Sequence, residues 1–203
     1  MQSIEKEIEN HIKKRRSGKI YFTQDFQEYG NDGAIRIALM RSIKNKLLIR
    51  IAPGIFYYPL FDKELGIYLL PSLENIAEAL AKRDKARVVP TGDYAMNKLG
   101  LSTQVPANII FLTDGSPRKI KIGKGGITFK KASPKNFAYK SYIMMLISFA
   151  FSEIGKNNIT AKDIETITPI LLKENRSKIE KDLSLLPIWI REIAKNIIRE
   201  NSK

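Results

Sequence analysis

Arg36, Ile37, Met40, Arg41 and Lys44 recur at three- and four-residue spacing after Asn31. At about 100° per residue they gather with Gly33 on one side of a helix, while Ile35, Ala38, Leu39, Ser42 and Ile43 fall on the other. An exposed face of this kind suits base-edge readout. Arg binds guanine O6 and N7 through two donors, and Ile or Met meets the thymine methyl, once the helix lies in a major groove. The alternative is a charged face that only keeps the helix in solvent, but Ile37 and Met40 are out of place on such a face. Thr23 and Gln24, just upstream, can donate to phosphates, and Asn31 stands with them at the start of the long helix. Arg50 either reaches the DNA backbone or adjacent minor groove, or is a cross-strand surface cation.

These side chains need a scaffold, and the first sixty residues spell one out. Ile4, Ile8, His11 and Ile12 keep helical spacing up to the basic cluster Lys13 to Arg16, with Gly18 as a stop. Ile20 to Phe22 reads as a short strand, and Thr23 as the cap of a brief helix through Asp25, Phe26 and Glu28 that breaks at Gly30. Asn31 or Asp32 caps the long helix, which runs to about Lys46. Leu48 to Phe56 is strand, turn and strand, with Ala52-Pro53-Gly54 at the bend and Pro59 closing the unit. This order predicts a winged helix-turn-helix DNA-binding domain over residues 1–60.

Leu60 to Pro71 reads as a connector, after which Ser72 caps a helix with Leu73, Ile76, Ala77 and Leu80 facing inward. Strands are expected at Arg87 to Pro90, Ile109 to Leu112, Lys119 to Ile122 and Ile127 to Lys131, with a short helix from Asp93 to Leu99. Helices follow at Phe137 to Phe151, Thr160 to Ile170 and Pro187 to Ile198. The fold class is therefore α+β: the winged unit, a small mixed α/β domain over residues 61–140, and a helical C-terminal region over residues 141–203 packed on the second domain.

Charge points to a polyanionic partner. The chain has 203 residues, and 35 Lys and Arg against 21 Asp and Glu give a net charge of +14. Between Asp114 and Glu153 there is no acidic residue, so Arg118, Lys119, Lys121, Lys124, Lys130 and Lys131 form a second basic surface for a partner or the DNA backbone. Catalytic chemistry finds little to work with. Cysteine is absent, and His11, the only histidine, lies in a polar stretch and reads as a solvated helix residue. Gly123-Lys124-Gly125-Gly126 lacks P-loop spacing and reads as a tight hairpin turn. Asp114-Gly115-Ser116 is a turn without the paired carboxylate a divalent ion would need, and Asp163 with Glu165 reads as a solvated face. Phe56, Tyr57 and Tyr58 offer stacking surfaces for single-stranded bases, yet alternate members must pack inward. The expectation is a non-enzyme with no catalytic residue, no metal and no cofactor. Tyr142 to Phe151 is far shorter than the ~20 apolar residues that span a bilayer, and Met1 to Asn10 is too polar for a secretory signal. A cytoplasmic chain with no membrane partner is expected, its oligomeric state open.

The residues also carry a family likeness. Gly18 to Phe26, Ile35 to Leu39 and Ile49 to Tyr57 resemble the winged N-terminal domain of the abortive-infection type IV antitoxins, the AbiEi-like group. Val89-Pro90-Thr91-Gly92, the run Leu99 to Ala107, and Leu112-Thr113-Asp114-Gly115 leading into Ile120-Lys121-Ile122 are similar to a branch of that group. The likeness spans roughly residues 15–140. It implies a non-enzymatic antitoxin that represses its own operon by binding double-stranded operator DNA and antagonises a cognate nucleotidyltransferase-like toxin. Carried over by position, DNA contact falls on Arg36, Arg41, Lys44 and the wing around Arg50. Without specific DNA recognition, the chain would instead be an interaction module that grips an acidic partner through the basic surface of residues 118–140.

Overall fold

A computed structural model describes residues 3–201 and shows a mixed α+β protein. Met1 and Gln2, the head of the polar N-terminal stretch, lie outside the described residues. The chain forms two compact units, residues up to Leu80 with 120–124, and residues 81–119 with 125–203.

In the first unit α1 (Ile4–Lys13) is capped by Ser3 and buries Ile8 and Ile12. Strand β1 (Ile20–Phe22) leads into a 3-10 helix, Thr23–Tyr29. Thr23 is not its cap, as the sequence suggested. The Asp25 carboxylate instead accepts from the Phe22 amide at 2.8 Å, which moves the cap one residue earlier. Helix α2 (Asp32–Lys44) is capped by Asn31, whose side-chain oxygen accepts from the Ala34 amide at 2.9 Å. It ends where the Ser42 carbonyl accepts from the amides of Leu47 and Leu48 and turns the chain into β2 (Ile49–Ala52). Strand β3 (Ile55–Tyr57) returns beside it, and the antiparallel sheet has the order β1-β3-β2. One core closes the unit, formed by Ile8, Ile12, Tyr21, Phe26, Ile35, Ala38, Leu39, Leu48 and Phe56.

Leu60 to Pro71 is not a plain connector. It holds a two-stranded ribbon, β4 (Leu60–Asp62) and β5 (Ile67–Leu69), whose turn is fixed by Asp62 Oδ1 accepting from the amides of Glu64 and Leu65. Helix α3 (Leu73–Arg83) follows, with Ser72 Oγ accepting from the Asn75 amide and Ile76, Ala77 and Leu80 buried.

Strands β6 (Val88–Pro90), β7 (Asn108–Thr113), β8 (Arg118–Ile122) and β9 (Gly125–Lys131) form a four-stranded sheet in the order β6-β7-β9-β8. Strands β7 and β9 run parallel. Only Gly123 and Lys124 form the expected glycine turn, because Gly125 already belongs to β9. Its lack of a side chain has a reason: a Cβ there would stand 1.9 Å from the Ala107 carbonyl oxygen. Helix α4 (Gly92–Lys98) packs beneath α5 (Tyr142–Ile154), and a core of Leu99, Met144, Ile147, Phe151, Ile167, Leu171, Leu186 and Ile190 joins them to α6 (Ala161–Leu172), α7 (Arg176–Asp182) and α8 (Ile188–Glu200).

The apolar helix starts at Tyr142, five residues later than expected. Residues Pro134–Phe137 form a separate 3-10 turn, and Ser141 caps α5 through the Met144 amide. The buried Asp182 carboxylate accepts from the amides of Lys140 and Ser141 at 2.7–2.9 Å and holds that junction. Asp163 is also more than a solvated carboxylate, since it completes a capping box with Thr160. Among the described residues, no helix is long and apolar enough to cross a membrane.

Candidate nucleic-acid interface

Helix α2 divides along its length. Ile35, Ala38, Leu39 and Ser42 are buried, and Ser42 Oγ satisfies itself on the Ala38 carbonyl at 3.1 Å. Gly33, Arg36, Ile37, Met40, Arg41 and Lys44 are all exposed. Ile37 is 54% and Met40 69% exposed, so two large apolar side chains stand in water beside three cations.

The three cations differ. Arg41 Nη1 pairs with Glu5 Oε2 on α1 at 2.6 Å, while Arg36 and Lys44 have no ion pair among the described residues. Part of the Arg41 charge is thus already neutralised, a partnership with a residue 36 positions away that helical periodicity does not reveal. If α2 lies against a duplex, Glu5→Gln is expected to raise duplex affinity about two- to fivefold while barely changing thermal stability, because exposed pairs contribute ~0.2–1 kcal/mol. Fluorescence anisotropy at low salt reads this change, and equal or weaker binding by the variant would remove Arg41 from the interface.

Around this face, Gln24 is exposed and Thr23 half-buried, with the Thr23 amide donating to the Gly54 carbonyl of the β2–β3 turn at 3.3 Å. Asn31 has its carbonyl oxygen engaged in capping α2, which leaves its amide NH2 as the outward group. Arg50 is exposed on β2, opposite Phe56 in the register. Phe56 and Tyr57 are buried, so neither is a stacking platform for bases.

His11 is not the solvated residue its polar neighbours suggest. Its ring lies edge-on to Tyr21, Phe26 and Tyr29, and Nδ1 shares a 2.8 Å hydrogen bond with the Tyr29 hydroxyl. Burial, helped by the positive charges of Lys19 and Arg15, pushes its pKa below 6.5. A histidine whose folded pKa is depressed binds more protons unfolded than folded. Its contribution is therefore present above pH 6.5 and is lost as pH falls through that value toward the folded pKa. The thermal midpoint of the wild type is expected to drop between about pH 7.5 and 5.5 more than that of His11→Gln. Parallel melting curves by circular dichroism test this, and identical pH dependence in the two proteins would contradict it.

The second basic stretch is uneven. Lys119 and Lys121 are exposed at alternate positions of β8, and Lys124, Lys130 and Lys131 are exposed as well, the Lys131 ammonium lying 3.4 Å from the Asp114 carbonyl oxygen. Arg118 is not a free surface cation. It pairs with Asp84 and lies over the Phe129 ring, 5.1 Å from its centroid. Burial raises the Asp84 pKa, but hydrogen bonds from Arg83 and Arg118 outweigh it and hold the carboxylate below its usual range.

Two motif runs have structural explanations. Asp114 accepts from both the amide and Nε of Arg87 at 2.7 Å, and Thr113 Oγ1 donates to the Arg87 carbonyl, so Leu112–Gly115 is a clasp between β6 and β7. In Leu99–Ala107, Asn97 Nδ2 donates to the carbonyls of Ser102 and Gln104 and sews down the loop that leaves α4.

The fold is similar to that in the crystal structure of the RV2827C protein from Mycobacterium tuberculosis, with a TM-score of 0.51 at 10% identity, covering 98% of this chain and 77% of that one. No curated protein matches the chain. Residues 7–179 match a protein family described as "Family of unknown function (DUF6088)".

Proposed function

From the premise that the chain belongs to the family of unknown function DUF6088, we propose that its first unit is a winged helix-turn-helix that binds double-stranded operator DNA, and that the chain is a transcriptional repressor. The observation that carries this reading is the exposed face of α2, on which Arg36, Arg41 and Lys44 surround the solvent-exposed Ile37 and Met40. The supporting frame is the order of α1, β1, 3-10 helix, α2 and the β2–β3 hairpin, with β3 central in the sheet. In such a frame α2 is the recognition helix, its apolar flank seated on α1 and the 3-10 helix. The β2–β3 turn is the wing, with Arg50 beside it.

The chemistry is recognition without reaction. Guanidinium donors meet base edges, Ile37 and Met40 meet methyl groups, and Thr23 and Gln24 contact phosphates that set the register. The likeness to AbiEi-like antitoxins extends the proposal. The chain acts in the cytoplasm, represses its own operon and, through residues 61–140, antagonises a nucleotidyltransferase-like toxin.

Binding of the full chain to duplexes from the region upstream of its own coding sequence, followed by anisotropy across a salt series, tests the DNA reading. A log–log decline of several units is expected, because each neutralised phosphate releases counterion. Affinity that is indifferent to salt, or equal for upstream and scrambled duplexes, would overturn it.

A further inference from the structure

A wing reads a minor groove only if its tip stands clear of the sheet and carries a side chain that reaches base edges, on the floor of a groove about 7.5 Å deep. Here the tip between β2 and β3 is Pro53 and Gly54 alone. At about 3.5 Å per residue, such a turn clears its last strand pair by about one residue's length. The flanking Ala52 and Ile55 are 6% and 3% exposed, so the protrusion ends with them. Neither tip residue has a polar side chain, Pro53 lacks an N–H, and the Gly54 amide is the one donor left.

The tip is also held down. The Thr23 amide donates to the Gly54 carbonyl at 3.3 Å, and a Cβ on Gly54 would stand 3.6 Å from Thr23 Oγ1. Gly54 lies at φ 72°, in the left-handed region where any side chain is strained. The turn is therefore fastened to the start of the 3-10 helix and closed to a longer residue. With its amide engaged in that bond, Thr23 keeps its hydroxyl for a phosphate.

Arg50 lies two residues before the end of β2, an edge strand, and is exposed with no ion pair among the described residues. Set back behind the tip, its guanidinium meets the sugar-phosphate rim of a groove before the base edges on the floor. The exposed face of α2, from Gly33 to Lys44, is about 16 Å long at 1.5 Å per residue. That length covers at most about five base pairs at 3.4 Å each.

We infer that the first unit discriminates sequence through the major groove alone, within about five base pairs under α2, and that Arg50 holds a phosphate beside them. The inference rests on the DNA-binding function proposed above and adds to it that the wing reads no base.

Base analogues that alter one groove at a time test this on the full chain, by anisotropy with the preferred duplex. Inosine for guanine removes the minor-groove amino group and keeps O6 and N7, whereas diaminopurine for adenine adds that group. Affinity for duplexes with either analogue is expected within about twofold of the parent. Deazaguanine lacking N7, or uracil in place of thymine, is expected to weaken binding about threefold or more at a pair under α2. Arg50→Ala is expected to lower affinity about three- to tenfold for preferred and scrambled duplexes alike, and the salt slope by about one unit. Arg50→Lys is expected to retain both, since a phosphate needs only a point charge. A loss beyond about fivefold on either minor-groove analogue, or an Arg50→Ala variant that loses sequence preference, would overturn the inference and leave α2 as the reader. Wild-type affinity in a folded Arg50→Ala variant would also overturn it, making Arg50 a surface cation. A wild type that prefers no duplex would overturn the proposed function and this inference with it.

Discussion

Arg36→Ala with Lys44→Ala is expected to lower affinity for the preferred duplex about a hundredfold or more. A bidentate Arg–guanine pair contributes ~1–3 kcal/mol, and the lost lysine removes a phosphate contact and about one unit of salt slope. Both side chains are exposed on α2 without an ion-pair partner among the described residues, so the folded state loses little by their removal. Arg41→Ala is expected to cost less, because its guanidinium already serves Glu5. Lys119→Ala with Lys121→Ala provides the contrast. If those exposed lysines touch DNA they touch only its backbone, so their loss lowers affinity equally for all sequences. Anisotropy titrations on one preferred and one scrambled duplex separate the two patterns. Equal discrimination by wild type and the α2 variant would exclude α2 as the reader.

Asp182→Ala is expected to destabilise the second unit by about 3 kcal/mol. The carboxylate is 1% exposed and accepts from the backbone amides of Lys140 and Ser141 at the entry to α5, so truncation leaves the buried Ser141 donor and the part-buried Lys140 donor without an acceptor. Asp182→Asn keeps one acceptor oxygen and should fall between wild type and alanine. Trp189, the single tryptophan, stacks on Phe151 in the same core and makes urea unfolding of this unit visible by fluorescence. An unchanged midpoint for the alanine variant would show that the junction has another support.

The features legible in the sequence are those whose cause is local. The face of α2 follows from a period of 3.6 residues, and the Asn31 cap follows from one residue type at one position. The unread features have causes far along the chain. Asp182 reaches partners 41 and 42 residues away, Arg118 finds Asp84 at a separation of 34, and His11 meets Tyr29 at 18. None of these leaves a mark on neighbouring residues. His11 reads as polar because Asn10 and Lys13 are polar, while its surroundings are set by the aromatic side chains of β1 and the 3-10 helix. The β4–β5 ribbon lacked the apolar–polar alternation of a half-buried strand, since Leu60-Phe61 and Ile67 to Leu70 are apolar without a break. Helix α7 is seven residues of mostly charged sequence with only Ile179 and Asp182 buried, too short to show a period.

Selection of binders from a pool of random-sequence duplexes, run in parallel with the wild-type chain and with Arg36→Ala, tests the reading of α2 most directly. The wild type should enrich a defined sequence, and the variant should lose preference at the positions Arg36 contacts while keeping the rest. Enrichment of the same sequence to the same depth by both proteins, or of none by the wild type, would contradict the assignment of α2 as a recognition helix.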